Sequence, residues 1–200
     1  MITLLDPLAK RTASPHVLSA IGEEACNLAI WERADDPTLA SLLAWTPKDV
    51  RFESGLGPLS VRLEEELCAA GYPDTGDRAA LIADIAELGA RYGTIMQINA
   101  VGVRLAVVTT DSCRKFHADY VKARLITTYV GTGTQWIDAE DAARMARGEN
   151  PQRIHTMRAG DVGLFKGKMW TQSPAIHRSP PIAKTGETRL MLVLDPPRRR

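Results

Sequence analysis

The spacing of apolar positions changes character near residue 94. Up to that point the recurrence is helical. Val17, Leu18, Ile21, Ala25, Leu28 and Ala29 return at three- and four-residue steps, as do Leu59, Leu63, Leu67 and Ala70. A third stripe, Leu81, Ile82, Ile85, Leu88 and Gly89, runs through residues 78–92, with Asp77 placed as an N-cap and Gly93 just past the end. Pro37, Pro47 and Pro58 break the connections. The pattern therefore predicts a helix-rich region over residues 1–93.

Beyond Gly93 the period shortens to two. Val101, Val103, Leu105 and Val107 alternate with Gly102, Arg104, Ala106 and Val108, and the run stops at Thr109-Thr110-Asp111-Ser112. Residues 124–130 are rich in β-branched and aromatic side chains and end at Gly131-Thr132-Gly133. Residues 138–148 read as one short helix. Residues 154–157 and 162–166, joined by Arg158-Ala159-Gly160-Asp161, predict a hairpin, and residues 188–194 a final strand. Short strands at this spacing predict an antiparallel sandwich or jelly roll. The expected class is α+β: a double-stranded β-helix (jelly-roll, cupin-like barrel) over residues 94–195, the N-terminal helical region packed on it, and a basic tail at 196–200, all in one domain.

Composition then removes several function classes. With 44% hydrophobic residues in a chain of 200, one sizeable core is affordable. A net charge of +1 supplies no field for nucleic acid or anionic membrane, and no apolar run approaches the roughly 20 residues that span a bilayer. Met1 to Lys10 lacks the pattern of a signal peptide. Three widely spaced cysteines, Cys26, Cys68 and Cys113, suit reduced thiols in a cytoplasm. A small-molecule substrate is expected, with no nucleic acid and no membrane partner; the sequence leaves the oligomeric state open.

Chemistry enters at residues 113–119, Cys-Arg-Lys-Phe-His-Ala-Asp. On a strand, His117 and Asp119 leave the same face. His177 follows 60 residues later, late enough for a jelly roll to return it beside them. Two imidazoles and a carboxylate form the facial set that suits non-haem Fe(II) and leaves coordination positions open. Arg189, in the final strand, is placed to bind a carboxylate with its planar guanidinium, and in such an enzyme that carboxylate is the distal end of 2-oxoglutarate. Arg178 and Arg124 compete for this role, and Tyr129 and Thr128 could add a hydroxyl. Trp136 is a candidate pocket wall. Cys113 either lines the site, or makes a fourth ligand that turns the metal to zinc, or is a small buried side chain.

Residues 113–120, with Arg124-Leu125, Thr128-Tyr129-Val130-Gly131, Gly133-Thr134-Gln135-Trp136, His177-Arg178-Ser179-Pro180-Pro181 and Leu194-Asp195-Pro196, resemble a bacterial family defined only as a domain of unknown function. Its motif order is similar to that of the cupin-like Fe(II)/2-oxoglutarate-dependent oxygenases. That resemblance implies Fe(II) and 2-oxoglutarate as cofactor and co-substrate. Family members sit near zinc-homeostasis genes, which keeps a second expectation open: a non-catalytic metal-binding protein of zinc or iron homeostasis. The proline pair after His177 departs from the superfamily pattern and bends or shortens a strand there.

Overall fold

The structure is a computed structural model that describes residues 8–198. Ten strands run in chain order: β1 (Leu8–Thr12), β2 (Cys26–Trp31), β3 (Val50–Gly55), β4 (Ala100–Val108), β5 (Ala123–Val130), β6 (Gln135–Ile137), β7 (His155–Thr156), β8 (Val162–Lys166), β9 (Ile176–Arg178) and β10 (Arg189–Asp195). Three α-helices, α1 (Leu59–Ala69), α2 (Gly76–Met96) and α3 (Ala139–Ala146), join two 3-10 helices at Pro15–Gly22 and Pro37–Trp45. The protein is α+β. Seven strands form a large sheet in the order β1-β2-β8-β5-β10-β4-β3, antiparallel except for the β1–β2 pair, and β7-β6-β9 form a small antiparallel sheet.

The central strand β10 shows how the layers are made. Leu190, Leu192 and Leu194 point to one face, where they meet Leu59, Leu63 and Leu67 of α1 and Leu81, Ile85, Leu88 and Tyr92 of α2. Met191 and Val193 point to the other, packing with Ile126, Phe165, Trp136, Met157 and Ala175 between the sheets. Strict alternation in a strand buried on both sides gives the unbroken apolar run Leu-Met-Leu-Val-Leu. At about 25 cal/mol per Å2, each fully buried leucine contributes roughly 2 kcal/mol. The helical layer therefore holds the sheet against which the site is built.

Several expectations need correction. The region 1–93 is not uniformly helical: β1, β2 and β3 supply both edges of the large sheet. Val17, Leu18 and Ile21 lie on a 3-10 helix, whereas Leu28 and Ala29 belong to β2, buried on both faces. The N-cap of α2 is Thr75, whose hydroxyl accepts from the Arg78 amide, and not Asp77. Gly93 lies inside α2, where a β-carbon would meet Leu56 at 2.2 Å; the helix ends at Gln97 in the left-handed region. Residues 154–166 make no hairpin, because β7 pairs with β6 in the small sheet and β8 with β5 and β2 in the large one. Among the described residues no helix is long and apolar enough to cross a membrane. The expected chain start at Met1–Pro7 and tail residues Arg199 and Arg200 lie outside the described residues.

Candidate metal centre

His177 occupies the middle of β9, directly opposite Trp136 of β6, so both side chains face the space between the sheets. The ring of Phe165 from the large sheet lies 4.6 Å from the His177 ring. His117 is not in a regular strand. It makes one bridge, donating its amide to the His177 carbonyl and accepting from the His177 amide, each at 2.9 Å. That reciprocal pair fixes the two backbones and leaves the imidazoles side by side, with ring centroids 4.8 Å apart. Asp119 follows in an irregular segment that is clamped by two amides: Lys168 donates to the Asp119 carbonyl at 2.9 Å and Met169 to that of Val121 at 3.1 Å. Gly167 permits this approach, since a β-carbon there would sit 2.2 Å from the Val121 oxygen.

The expected triad therefore comes together. One ligand atom each from His117, Asp119 and His177 all lie within 4.8 Å of one another. Nε2 of His177 is 3.2 Å from Oδ2 of Asp119, and Nε2 of His117 is 3.7 Å from Oδ1. Nδ1 of His117 lies 2.9 Å from the Lys115 carbonyl and Nδ1 of His177 lies 3.3 Å from that of Ala175. A carbonyl only accepts, so both Nδ1 atoms carry a proton, and each Nε2 is turned toward Asp119. In His177 that nitrogen faces Oδ2 of a buried carboxylate, to which no other group donates. A proton on Nε2, or a divalent ion seated between the two atoms, satisfies both. The donor set, two imidazole nitrogens and one carboxylate oxygen, fits a divalent metal such as Fe(II) or zinc.

The other oxygen of Asp119 is spoken for. Arg124 donates to Oδ1 at 2.5 Å, and its opposite edge grips Asp195 of β10 at 2.7 and 2.9 Å. Burial alone would raise the Asp119 pKa. Contacts with His177, and the charges of Arg124 and His117, outweigh burial and hold the carboxyl below its usual value. Arg124, a competing candidate for the co-substrate carboxylate, is engaged by Asp119 and Asp195.

Arg189 lies on the same face of β10 as Met191 and Val193 and is fully buried. Its Nε donates to the Thr132 carbonyl at 2.6 Å and one terminal nitrogen to the Thr128 hydroxyl at 3.2 Å. The other terminal nitrogen, buried, has no partner. Burial pulls this guanidinium below its usual pKa, and the nearby Glu187 is occupied by the Thr132 amide and hydroxyl. A buried cation that meets only neutral oxygens is costly unless an anion joins it.

Three expected residues lie elsewhere. Tyr129 has the opposite parity to Thr128 and faces the helices, where its hydroxyl donates to Asp84 at 2.7 Å. Asp84 also receives Arg33, and these residues line a cavity of about 140 Å3 on the helical side of the sheet. Arg178 alternates away from His177; it donates to Gln135 at 2.7 Å and stacks over Phe116 at 4.3 Å. Cys113 is exposed in the left-handed region, and only its carbonyl is used, by the Ser179 amide. Trp136 is buried beside His177 and stacks on His155. The sequence reading missed the roles of Asp195, Phe165 and Gly167. Only Asp195 left a trace, in the Leu194-Asp195-Pro196 block that closes the last strand.

Among solved structures, the chain is similar to the rice dioxygenase for auxin oxidation, at 11% identity and a TM-score of 0.48, with 95% of this chain and 82% of that one covered. It is also similar to a Pseudomonas putida prolyl-4-hydroxylase, at 12% identity and a TM-score of 0.47, covering 92% and 98%. Likenesses this loose assign neither fold nor reaction. No curated protein matches the sequence. A family described as "Protein of unknown function (DUF1826)" matches residues 12–195, and the chain belongs to that family.

Proposed function

We propose that this protein is a non-haem Fe(II)-dependent oxygenase that uses 2-oxoglutarate and acts on a small molecule. The observation that carries the reading is the convergence of His117, Asp119 and His177, with Nε2 of His177 and Oδ2 of Asp119 buried 3.2 Å apart beside the His117 ring. His117, Asp119 and His177 would hold the metal. When bound, Fe(II) supplies the redox chemistry with dioxygen that amino-acid side chains lack. Arg189 would take the distal carboxylate of 2-oxoglutarate, with Thr128 and the Thr132 carbonyl keeping its guanidinium aimed. Arg189 and Asp195 stand at opposite ends of β10, so the guanidinium lies apart from the Arg124–Asp195 pair that holds Asp119. Phe165 and Trp136 exclude water from the inner wall.

The same reading includes the fold. β4, β5, β8 and β10 alternate with the His117 bridge, β6, β7 and β9 in feeding the two sheets, and this ordering supports a double-stranded β-helix with two packed antiparallel layers.

An anaerobic Fe(II) titration with and without 2-oxoglutarate tests the proposal. A visible charge-transfer band that needs both components, and is lost in His177→Ala, is the expected result. Tight Fe(II) or zinc binding with no band and no 2-oxoglutarate consumption would instead make this a metal-binding protein without turnover.

A further inference from the structure

The face of the large sheet that meets the triad extends beyond the small sheet. Arg51 of β3 pairs directly with Arg104 of β4, Arg104 with Val193 of β10, and Val193 with Ile126 of β5. Residues directly opposite share a face. Both arginines therefore lie on the side that carries Ile126 and Val193, the inner face of the metal centre. With strands about 4.8 Å apart, Arg104 is two strands, roughly 10 Å, from Ile126 of β5, two residues along from the Arg124 that holds Asp119.

Both side chains are exposed. Cross-strand partners bring their β-carbons to about 4.5–5.5 Å, and like charges so placed repel. The carboxylates flanking Arg51 are engaged by backbone amides: Asp49 accepts from Val107 at 2.8 Å and Glu53 from Arg198 at 3.2 Å. Asp195, one strand further, is gripped by Arg124. Among the described residues neither Arg51 nor Arg104 has a carboxylate partner within ion-pair distance. The segments around the triad add exposed Arg114, Lys115, Lys122 and Lys168, in a chain whose net charge is only +1.

Resting on the oxygenase reading, we infer that the substrate carries an anionic oxygen group, carboxylate or phosphate, seated across Arg51 and Arg104. Two guanidiniums held in register offer forked donors to such a group, and its charge relieves their repulsion. The two-strand separation leaves the body of a small molecule to reach from this anchor toward the triad. Selection by charge at a distance from the metal would then decide which molecules are presented to it.

Benzoate and phenyl phosphate serve as probes, titrated at constant ionic strength into the metal-free protein while the arginine Nε–H resonances are followed by NMR. At least one probe should saturate and shift two arginine signals that vanish in Arg51→Gln and Arg104→Gln. Each substitution should weaken binding at least tenfold, while Arg147→Gln, on a distant exposed arginine, should not. The stronger probe tells carboxylate from phosphate. Failure of both probes to saturate, or unchanged affinity in both glutamine variants, overturns the inference. Fe(II) binding and the 2-oxoglutarate band, measured separately, should be unaltered in Arg51→Gln. Their absence in the wild-type protein would sink the oxygenase reading and leave the anion site standing.

Discussion

Arg124 holds Asp119 by one oxygen only. Its 2.5 Å bond to Oδ1 leaves Oδ2 turned toward His177, so the carboxylate is set to bind a metal through a single atom. Partners of this kind outside the ligand shell usually change metal affinity by about 10–100-fold. Arg124→Ala should therefore weaken Fe(II) or zinc binding by that factor. Because Asp195 also loses its partner, stability should fall by about 3 kcal/mol. Arg124→Lys should recover part of the stability but not the bidentate grip on Asp195. A metal titration beside a denaturant melt reads both, and unchanged affinity in Arg124→Ala would show that Asp119 is oriented without it.

Asp119→Asn separates charge from shape. An amide nitrogen at the Oδ2 position can donate to Nε2 of His177, so the metal-free protein should be at least as stable as the parent. Metal-dependent stabilisation should vanish. At a hundredfold excess over the dissociation constant, metal contributes about 2.7 kcal/mol, or roughly 5–10 °C in a protein of this size. A thermal melt with and without metal checks both halves.

Arg189→Ala should weaken 2-oxoglutarate binding by about 2–5 kcal/mol while leaving Fe(II) binding nearly intact. Arg189→Met keeps the length of the side chain and removes a buried charge that no carboxylate contacts among the described residues. Its metal-free form should melt no lower than the parent. A drop in Fe(II) affinity in either variant would place Arg189 in the metal's own surroundings.

Tyr129 gives an alkaline prediction. Burial, then the charge and hydrogen bond of Asp84, raise its pKa well above the usual value of a phenol. A raised folded-state pKa contributes stability that is complete below about pH 10 and is lost as pH climbs beyond it. Tyr129→Phe should cost about 1 kcal/mol at neutral pH and flatten the alkaline limb of a stability profile. The 2-oxoglutarate band should be unaffected, since this hydroxyl faces the helices; loss of the band would return Tyr129 to the site.

The triad was legible because its chemistry is carried by residue type and order: His117, Asp119 and His177 needed only the expectation that a late strand returns beside an early one. Parity within β5 and β9 was harder to read. Tyr129 and Arg178 each sit one position from a residue that faces the site, and a shift of one reverses the face. Strand β2 was hidden because burial on both sides removes the alternation that marks a strand, leaving spacings that fit a helix by chance. The 154–166 segment misled differently. Two short apolar runs joined by a turn predict pairing with each other, and nothing local records that the turn carries the chain from one sheet to the other. Arg124 was seen as a cation in need of an anion, but its partner, Asp195, lies 71 residues away.

The reciprocal backbone bond between His117 and His177 also bears on when a metal can be captured. During synthesis, His117 and Asp119 emerge well before His177, and two ligands on a loose segment hold a divalent ion poorly. Arg189 and Asp195 emerge later still, and without Asp195 the grip on Arg124 is incomplete. An ion held by all three residues would thereby be received only by a fold whose strands have already closed.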